Sequence, residues 1–173
     1  FVESNNKKYL NINDCQYTDD ELRKIKKECG DIDIFFTQFS YAAWKGGLKF
    51  PEYRKQAAEE KLNILFSQYE IINPKILVPF ASFIYFSHKS NKYMNDEINK
   101  IEDVVKFLDN KNVRYKILSP DHCIEFDSEK ELRFDDTKCK NFWNTKYNKI
   151  NEKQFNEHKK CFDYLELNKF FIN

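Results

Sequence analysis

The chain has 173 residues, a length that suits one domain or a large part of one. Its 29 Lys and Arg residues nearly balance its 28 Asp and Glu residues, so the net charge of +1 gives no overall attraction to nucleic acid or to an anionic membrane. Hydrophobic residues make up 41% of the chain, which is enough for a sizeable core, yet no apolar run approaches the roughly 20 residues that span a bilayer. We therefore expect neither a nucleic-acid partner nor a membrane partner.

Five cysteines are spread along the chain without a CxxC pair, at Cys15, Cys29, Cys123, Cys139 and Cys161. With only three His residues, neither a zinc-finger spacing nor the paired Cys and His of a Rieske centre can be written. The sequence predicts reduced, mostly buried thiols in a cytoplasmic protein.

The N-terminal elements carry clear local signals. Asn5-Asn6 separates two short alternating segments and predicts a tight hairpin, because Asn tolerates positive φ. Thr18 and Glu21 have the spacing of a capping box, and Gly30 suits the end of the helix that follows. The segment Asn99-Lys100-Ile101-Glu102 resembles a second capping box.

Strands and helices then alternate, which predicts an α/β fold. The expected strands lie near residues 8–13, 32–36, 75–79 and 113–118, and the expected helices near 19–29, 53–72 and 100–109. We expect the strands to share one sheet with the helices on one side of it, and the strand near 75–79 to be buried on both faces. Residues 135–147 and 151–170 are charged, aromatic and helix-like, so we expect residues 119–173 to form a mainly helical C-terminal extension.

Asp14 follows the second strand, in the sequence Asn13-Asp14-Cys15. A carboxylate placed where a strand gives way to a loop can point into a cleft, as metal ligands and general bases do. An Asp at a strand end is also a common turn residue, and the pattern alone leaves both readings open.

Several blocks of the chain resemble, in order and approximate spacing, the metallo-β-lactamase superfamily. Within it they are most similar to the metal-binding domain of CMP-N-acetylneuraminate hydroxylase, over about residues 8–118. The blocks are Leu10-Asn11-Ile12-Asn13-Asp14-Cys15, Asp31-Ile32-Asp33-Ile34-Phe35-Phe36-Thr37-Gln38-Phe39-Ser40, Pro79-Phe80-Ala81-Ser82-Phe83, Ser87-His88-Lys89-Ser90 and Asn99.

The resemblance implies that residues 1–118 form the C-terminal half of an αββα sandwich. Their partner would be the N-terminal half of the same domain. Asp14 matches the carboxylate that binds the metal in this family, and the ligand types fit Zn²⁺ or Fe²⁺. The His-x-His-x-Asp-His loop of the family is missing from this sequence, as is its last His near Pro79-Phe80-Ala81-Ser82. We therefore expect the main metal loop outside this chain.

Four further residues are candidates for a site that binds a small-molecule substrate. By resemblance, His88 matches a His that follows the Pro-Phe-Ala block, and His122 falls in a loop near the mouth of the site, so both are candidate catalytic or substrate-contacting residues. Trp44 and Lys45 lie in a glycine-bearing loop after a strand and are candidates for a substrate-facing lid. Each has an ordinary alternative as a polar or surface loop residue.

The resemblance implies a metal-dependent enzyme, with hydrolysis the default reaction of the superfamily and oxygenation the reaction of the hydroxylase-like branch. The alternatives are a non-catalytic interaction domain that keeps the fold without the metal, and an unrelated α/β domain in which Asp14 is a turn residue. The only methionine is Met94 and the first residue is Phe1. We expect the sequence to be a piece of a longer polypeptide.

Overall fold

Two asparagines in the left-handed conformation turn the chain between the first two strands. A computed structural model describes residues 1–123, 125 and 134–152 of the protein. In it, Asn5 (φ 50°) and Asn6 (φ 58°) connect β1 (Val2–Ser4) to β2 (Lys7–Asn13), and the two strands pair antiparallel. The predicted hairpin is confirmed.

The sheet continues from β2 with parallel strands. β3 (Ile34–Thr37) pairs with β2, and β4 (Ile76–Pro79) pairs with β3, so the strand order among the described residues is β1-β2-β3-β4. In this register Leu10, Phe35 and Leu77 are neighbours on one face, and all three are buried. Val78, on the opposite face, is also fully buried, as predicted for this strand.

Three helices pack with that face into one core. They are α1 (Asp19–Cys29), α2 (Pro51–Ile72) and α3 (Ile101–Asn110), close to their predicted bounds. The capping box of α1 is present, with the Thr18 amide donating to Glu21 Oε2 at 2.8 Å. The core joins the sheet to Leu22, Leu65 and Val104, one from each helix. Burial of a leucine side chain of this kind contributes about 2 kcal/mol.

The predicted strand near 113–118 is wrong as an extended element. Only one bridge forms there, between Leu77 and Tyr115, closed by hydrogen bonds of 2.9 Å from Leu77 N to Arg114 O and from Lys116 N to Leu77 O. Val113 and Ile117 are nevertheless buried in the core. Their alternation in the sequence therefore indicates side chains that are buried beside the edge of the sheet. It does not indicate a complete set of hydrogen bonds to a neighbouring strand.

A short 3₁₀ helix (Lys92–Asn95) precedes α3, and α4 (Thr137–Glu152) follows the bridged segment. α4 contributes Cys139 to the core, and Trp143 stacks on Phe83 with ring centroids 3.7 Å apart. The part of the predicted C-terminal extension in residues 137–152 is therefore helical. Residues 119–123, 125 and 134–136 of the predicted extension are not helical, and residues 124, 126–133 and 153–173 lie outside the described residues.

The cysteines are less buried than expected. The four within the described part are free thiols, but only Cys139 is buried, while Cys15 and Cys123 are exposed and Cys29 is half-buried. Cys161 lies outside the described residues. No helix among the described residues is long and apolar enough to cross a membrane.

Candidate functional site

A polar cleft of about 320 Å³ opens at the carboxyl ends of β2 and β3. Because the two strands are parallel, Asn13 and Thr37 end at the same edge of the sheet, and α2 forms the opposite wall. The edge at the carboxyl ends of parallel strands is where open α/β sheets usually bind ligands. Charged side chains in its lining are Asp14, Lys45, Glu60 and Lys61.

An irregularity at the end of β2 places Asp14 at this cleft. The pairing of β2 with β3 shifts by one residue between Asn11 and Asn13, and Asn13 adopts a left-handed conformation with φ 44°. A 2.8 Å hydrogen bond from Cys15 N to Ile12 O then closes a tight turn around Asp14. The turn carries the exposed Asp14 side chain away from the strand and onto the cleft wall. Asp14 thus stands in a turn and also lines the cleft, so the structure agrees with both interpretations of its position, and its metal role stays a prediction.

The α2 wall places polar side chains where a helix would normally bury apolar ones. Gln68 is buried and accepts a 2.5 Å hydrogen bond from Thr37 Oγ1 at the end of β3. Lys61 lies two helical turns earlier on the same face, half-buried, and donates to Gln38 Oε1 at 3.3 Å. The wall is therefore tied to the end of β3 by side-chain hydrogen bonds.

A buried arginine fixes the loop that carries Lys45. Arg54 is only 1% exposed, and its guanidinium donates to Asp96 Oδ1 at 2.7 Å and to the Gly47 carbonyl at 2.8 Å. Gly46 adopts φ 83°, and its carbonyl accepts from the Tyr93 hydroxyl at 3.2 Å. Lys45 therefore reaches the cleft from a loop whose base is held by these hydrogen bonds.

The environment of Lys61 is electropositive. Burial lowers the pKa of its ammonium group, the nearby Lys45 ammonium lowers that pKa further, and Asp14 partly opposes the shift. Repulsion from Lys45 thus outweighs attraction to Asp14 at this position. The end of the cleft between the two lysines is short of negative charge.

An exposed aromatic groove lies next to the cleft. It is lined by Trp44, Lys45, Gly46, Gly47, Phe50 and Tyr53, so that Lys45 borders both depressions. Trp44 is 70% exposed, and Phe50 stacks on Tyr53 with ring centroids 5.7 Å apart. The structure thus brings Lys45 together with Asp14 in the cleft, and Trp44 with Lys45 in the groove.

The two candidate histidines do not line the cleft. His88 is exposed in the loop after β4, where its Nδ1 lies 2.7 Å from Ser90 Oγ. His122 is exposed in a turn, with Nδ1 2.9 Å from Ser119 Oγ. Both contacts are local, and neither histidine lines the cleft with Asp14, so the catalytic roles stay predictions.

Several of the sequence blocks that carry the resemblance meet in a buried polar network. Asn99 donates from its amide to the carbonyls of Phe39 at 2.7 Å and Ala58 at 2.8 Å. Its main-chain N–H donates to Ser40 Oγ, and Ser82 Oγ accepts from the Phe39 amide at 3.1 Å. This corrects the expected cap: Lys100 precedes α3 and donates its main-chain N–H to Asp103 Oδ2, while the Asn99 side chain turns inward.

The chemistry of the donor set limits what the described residues can bind. Among them, no three His, Cys, Asp or Glu side chains converge as a metal site would require. Asp14, Cys15 and Glu60 all line the cleft but do not form such a group. The described residues therefore do not by themselves fit a metal ion.

Sequence reasoning missed the polar face of α2. Arg54, Lys61 and Gln68 stand at helical spacing with the buried Ala58, Leu65 and Ile72. Polar residues within an otherwise apolar stripe are the signal that could have identified Lys61 and Gln68 as cleft residues and Arg54 as a buried charge.

Comparisons with known proteins do not identify this site. The chain has no significant match among models of protein families, curated proteins or solved structures.

Proposed function

We propose that this chain contributes a substrate-binding wall to the active site of a metallo-β-lactamase-like hydrolase. The observation that carries the proposal is Asp14, held at the end of a parallel strand and lining a polar cleft with Lys45 and Lys61. The convergence of Phe39, Ser40, Ser82 and Asn99, which lie in three separate blocks of the resemblance, supports the same assignment.

In this proposal residues 1–118 form the C-terminal half of the αββα sandwich and meet an N-terminal half of the same domain. Asp14 would supply one carboxylate to a Zn²⁺ or Fe²⁺ site whose other ligands lie outside the described residues. The chain's own part is to bind and orient the substrate, through the lysines and the α2 wall. His88 and His122 remain candidate substrate contacts, and Trp44 a candidate wall of the entrance.

The test is the metal content of the natural full-length protein. We expect at least one Zn or Fe per chain in the wild type and a clear loss in Asp14→Asn, which keeps the shape of the side chain but removes its charge. Asp31→Asn is the matched control, because the Asp31 side chain is 98% exposed and lies away from the cleft. Thermal unfolding of all three proteins checks that the fold is kept.

Equal metal content in Asp14→Asn and wild type would remove Asp14 from the metal site. A wild-type protein without metal would favour the second candidate function, a non-catalytic interaction domain. The exposed groove of Trp44, Phe50 and Tyr53 favours that alternative, because aromatic residues are enriched in binding surfaces.

A further inference from the structure

Two lysines converge on the cleft without an acidic partner. Within the part of the chain that the structure describes, Lys45 and Lys61 form no ion pair, and the hydrogen bond of Lys61 goes to the neutral Gln38 at 3.3 Å. The buried Arg54, by contrast, is neutralised by Asp96. Two unneutralised ammonium groups facing one cleft make an unfavourable arrangement unless an anion joins them.

The remaining charges of the cleft do not cancel this arrangement. Glu60 is exposed and accepts a 2.8 Å hydrogen bond from Gln56 one turn earlier. Asp14 acts on Lys61 more weakly than Lys45 does, as the balance of effects on the pKa of Lys61 indicates. The cleft is therefore polarised, with Asp14 toward the turn after β2 and positive charge between the lysines.

The main-chain positions of the two lysines are fixed by the fold. Lys61 projects from the third turn of α2, and Lys45 precedes Gly46, whose carbonyl is held by Tyr93. The main chain at both positions is therefore already in place when a ligand binds.

We infer that Lys45 and Lys61 together bind a phosphate group of the molecule that the cleft accepts. This rests on the proposed function in that it names the substrate class of the same cleft. A phosphate monoester carries up to two negative charges and three terminal oxygens, so it can neutralise both ammonium groups at once. A single carboxylate would leave one lysine unneutralised, and the described lining of the cleft contains no arginine to hold it in a bidentate geometry.

The experiment measures binding to the natural full-length protein by calorimetry at constant ionic strength. The probes are inorganic phosphate, phenyl phosphate and, as the carboxylate of matched shape, benzoate. The variants are Lys45→Gln and Lys61→Gln, with Lys49→Gln and Lys55→Gln as controls because these exposed lysines lie in the same loop and the same helix but outside the cleft. Lys61→Arg keeps the charge.

We expect both phosphate probes to bind the wild type and each cleft variant to weaken binding roughly tenfold or more, as loss of a charged hydrogen bond does. The control variants should bind as the wild type does, and Lys61→Arg should retain most of the affinity. Thermal unfolding of each variant separates lost binding from lost fold.

Three results would overturn the inference: no phosphate binding by the wild type, equal weakening in the control variants, or benzoate binding as tightly as phenyl phosphate. The metal content of Asp14→Asn tests the proposed hydrolase separately from the phosphate site. Lysine-dependent phosphate binding in a metal-free protein would keep the phosphate site and reject the hydrolase, and metal binding without phosphate binding would do the reverse.

Discussion

The side-chain amide of Asn99 donates a 2.8 Å hydrogen bond to the main-chain carbonyl of Ala58, in the middle of α2. A helix carbonyl normally accepts only from the helix itself, so this bond ties the segment before α3 directly to the helix that forms the cleft wall. The same amide reaches Phe39 just after β3. One buried side chain thus holds together a helix, the end of a strand and the start of another helix.

Replacing Asn99 with leucine should therefore lower the stability of the fold more than a typical surface substitution does. Asn99→Leu removes both bonds and leaves a buried polar bonding position unfilled at Phe39, so we expect the free energy of unfolding to fall by about 2–4 kcal/mol. Urea unfolding measures the loss. Asn63→Leu, at an exposed position of α2, is the control and should change stability by less than about 1 kcal/mol. A loss as small as that in Asn99→Leu would show that the network contributes little.

Arg54→Met should loosen the loop that carries Lys45. It removes the ion pair with Asp96 and the bonds to the Gly47 and Phe50 carbonyls, and we expect a loss of about 3 kcal/mol, reduced from the buried-pair maximum because Asp96 is partly exposed. Hydrogen exchange at the Phe50 amide, which donates to Gly47 O, should accelerate. The neighbouring Lys55→Met should leave both measurements unchanged, and unchanged exchange in Arg54→Met would refute the role of Arg54.

Asp33 should make stability depend on pH in the acid range. Burial opposes its ionisation, but the Lys75 ammonium at 2.7 Å and the Lys8 amide at 2.9 Å lower the pKa of the Asp33 carboxyl below its ordinary value of 3.8. A lowered folded-state pKa means that the stabilisation is complete well above pH 3.8 and is lost as the pH falls through the folded-state pKa.

The comparison with Asp33→Asn tests this dependence. At pH 7 the variant should be less stable by about 1–2 kcal/mol, since Lys75 is largely exposed and its contribution is screened. In urea unfolding at decreasing pH the difference should shrink toward zero. A difference that stays constant from pH 7 to the acid limit would mean that the charge of Asp33 has no part in it.

Lys45→Gln should raise the pKa of Lys61. Burial alone keeps that pKa below the ordinary lysine value of 10.5, but removing the Lys45 ammonium abolishes the repulsion and leaves the attraction to Asp14. The pKa can be followed by NMR on isotopically dimethylated lysines, with the Lys61 signal assigned from Lys61→Gln. Lys49→Gln should leave it in place, and an unchanged Lys61 pKa in Lys45→Gln would mean that the two ammonium groups do not share the cleft.

Elements with local signals could be predicted from the sequence. The Asn5-Asn6 turn, the Thr18–Glu21 cap and the helix near 53–72 depend on residues within a few positions of one another, and all three are confirmed. The segment near 113–118 could not be predicted in this way, because alternation records which side chains are buried and not whether a neighbouring strand completes the ladder.

The site was predictable only in part. Asp14 and Lys45 stand in loops after strands, where functional residues are common, and both line the cleft. Lys61 lies in the run Glu59-Glu60-Lys61, which reads as a solvated helix face, and its half-buried position depends on contacts with Gln38, more than 20 positions away. Contacts of this range leave little trace in a single sequence.

The extra residue in β2 has a further consequence for Asp14. Side chains alternate between the faces of a strand, so one more residue in β2 than in β3 reverses the side on which the chain beyond it continues. The side from which Asp14 approaches the cleft therefore depends on the one extra residue in β2. Deleting one residue between Asn11 and Asn13 would let β2 and β3 pair one to one and turn the carboxylate toward the other face of the sheet. The residue removed would be Ile12, whose buried side chain belongs to the core, so the shortened chain would lose its site and some of its stability without any substitution at Asp14.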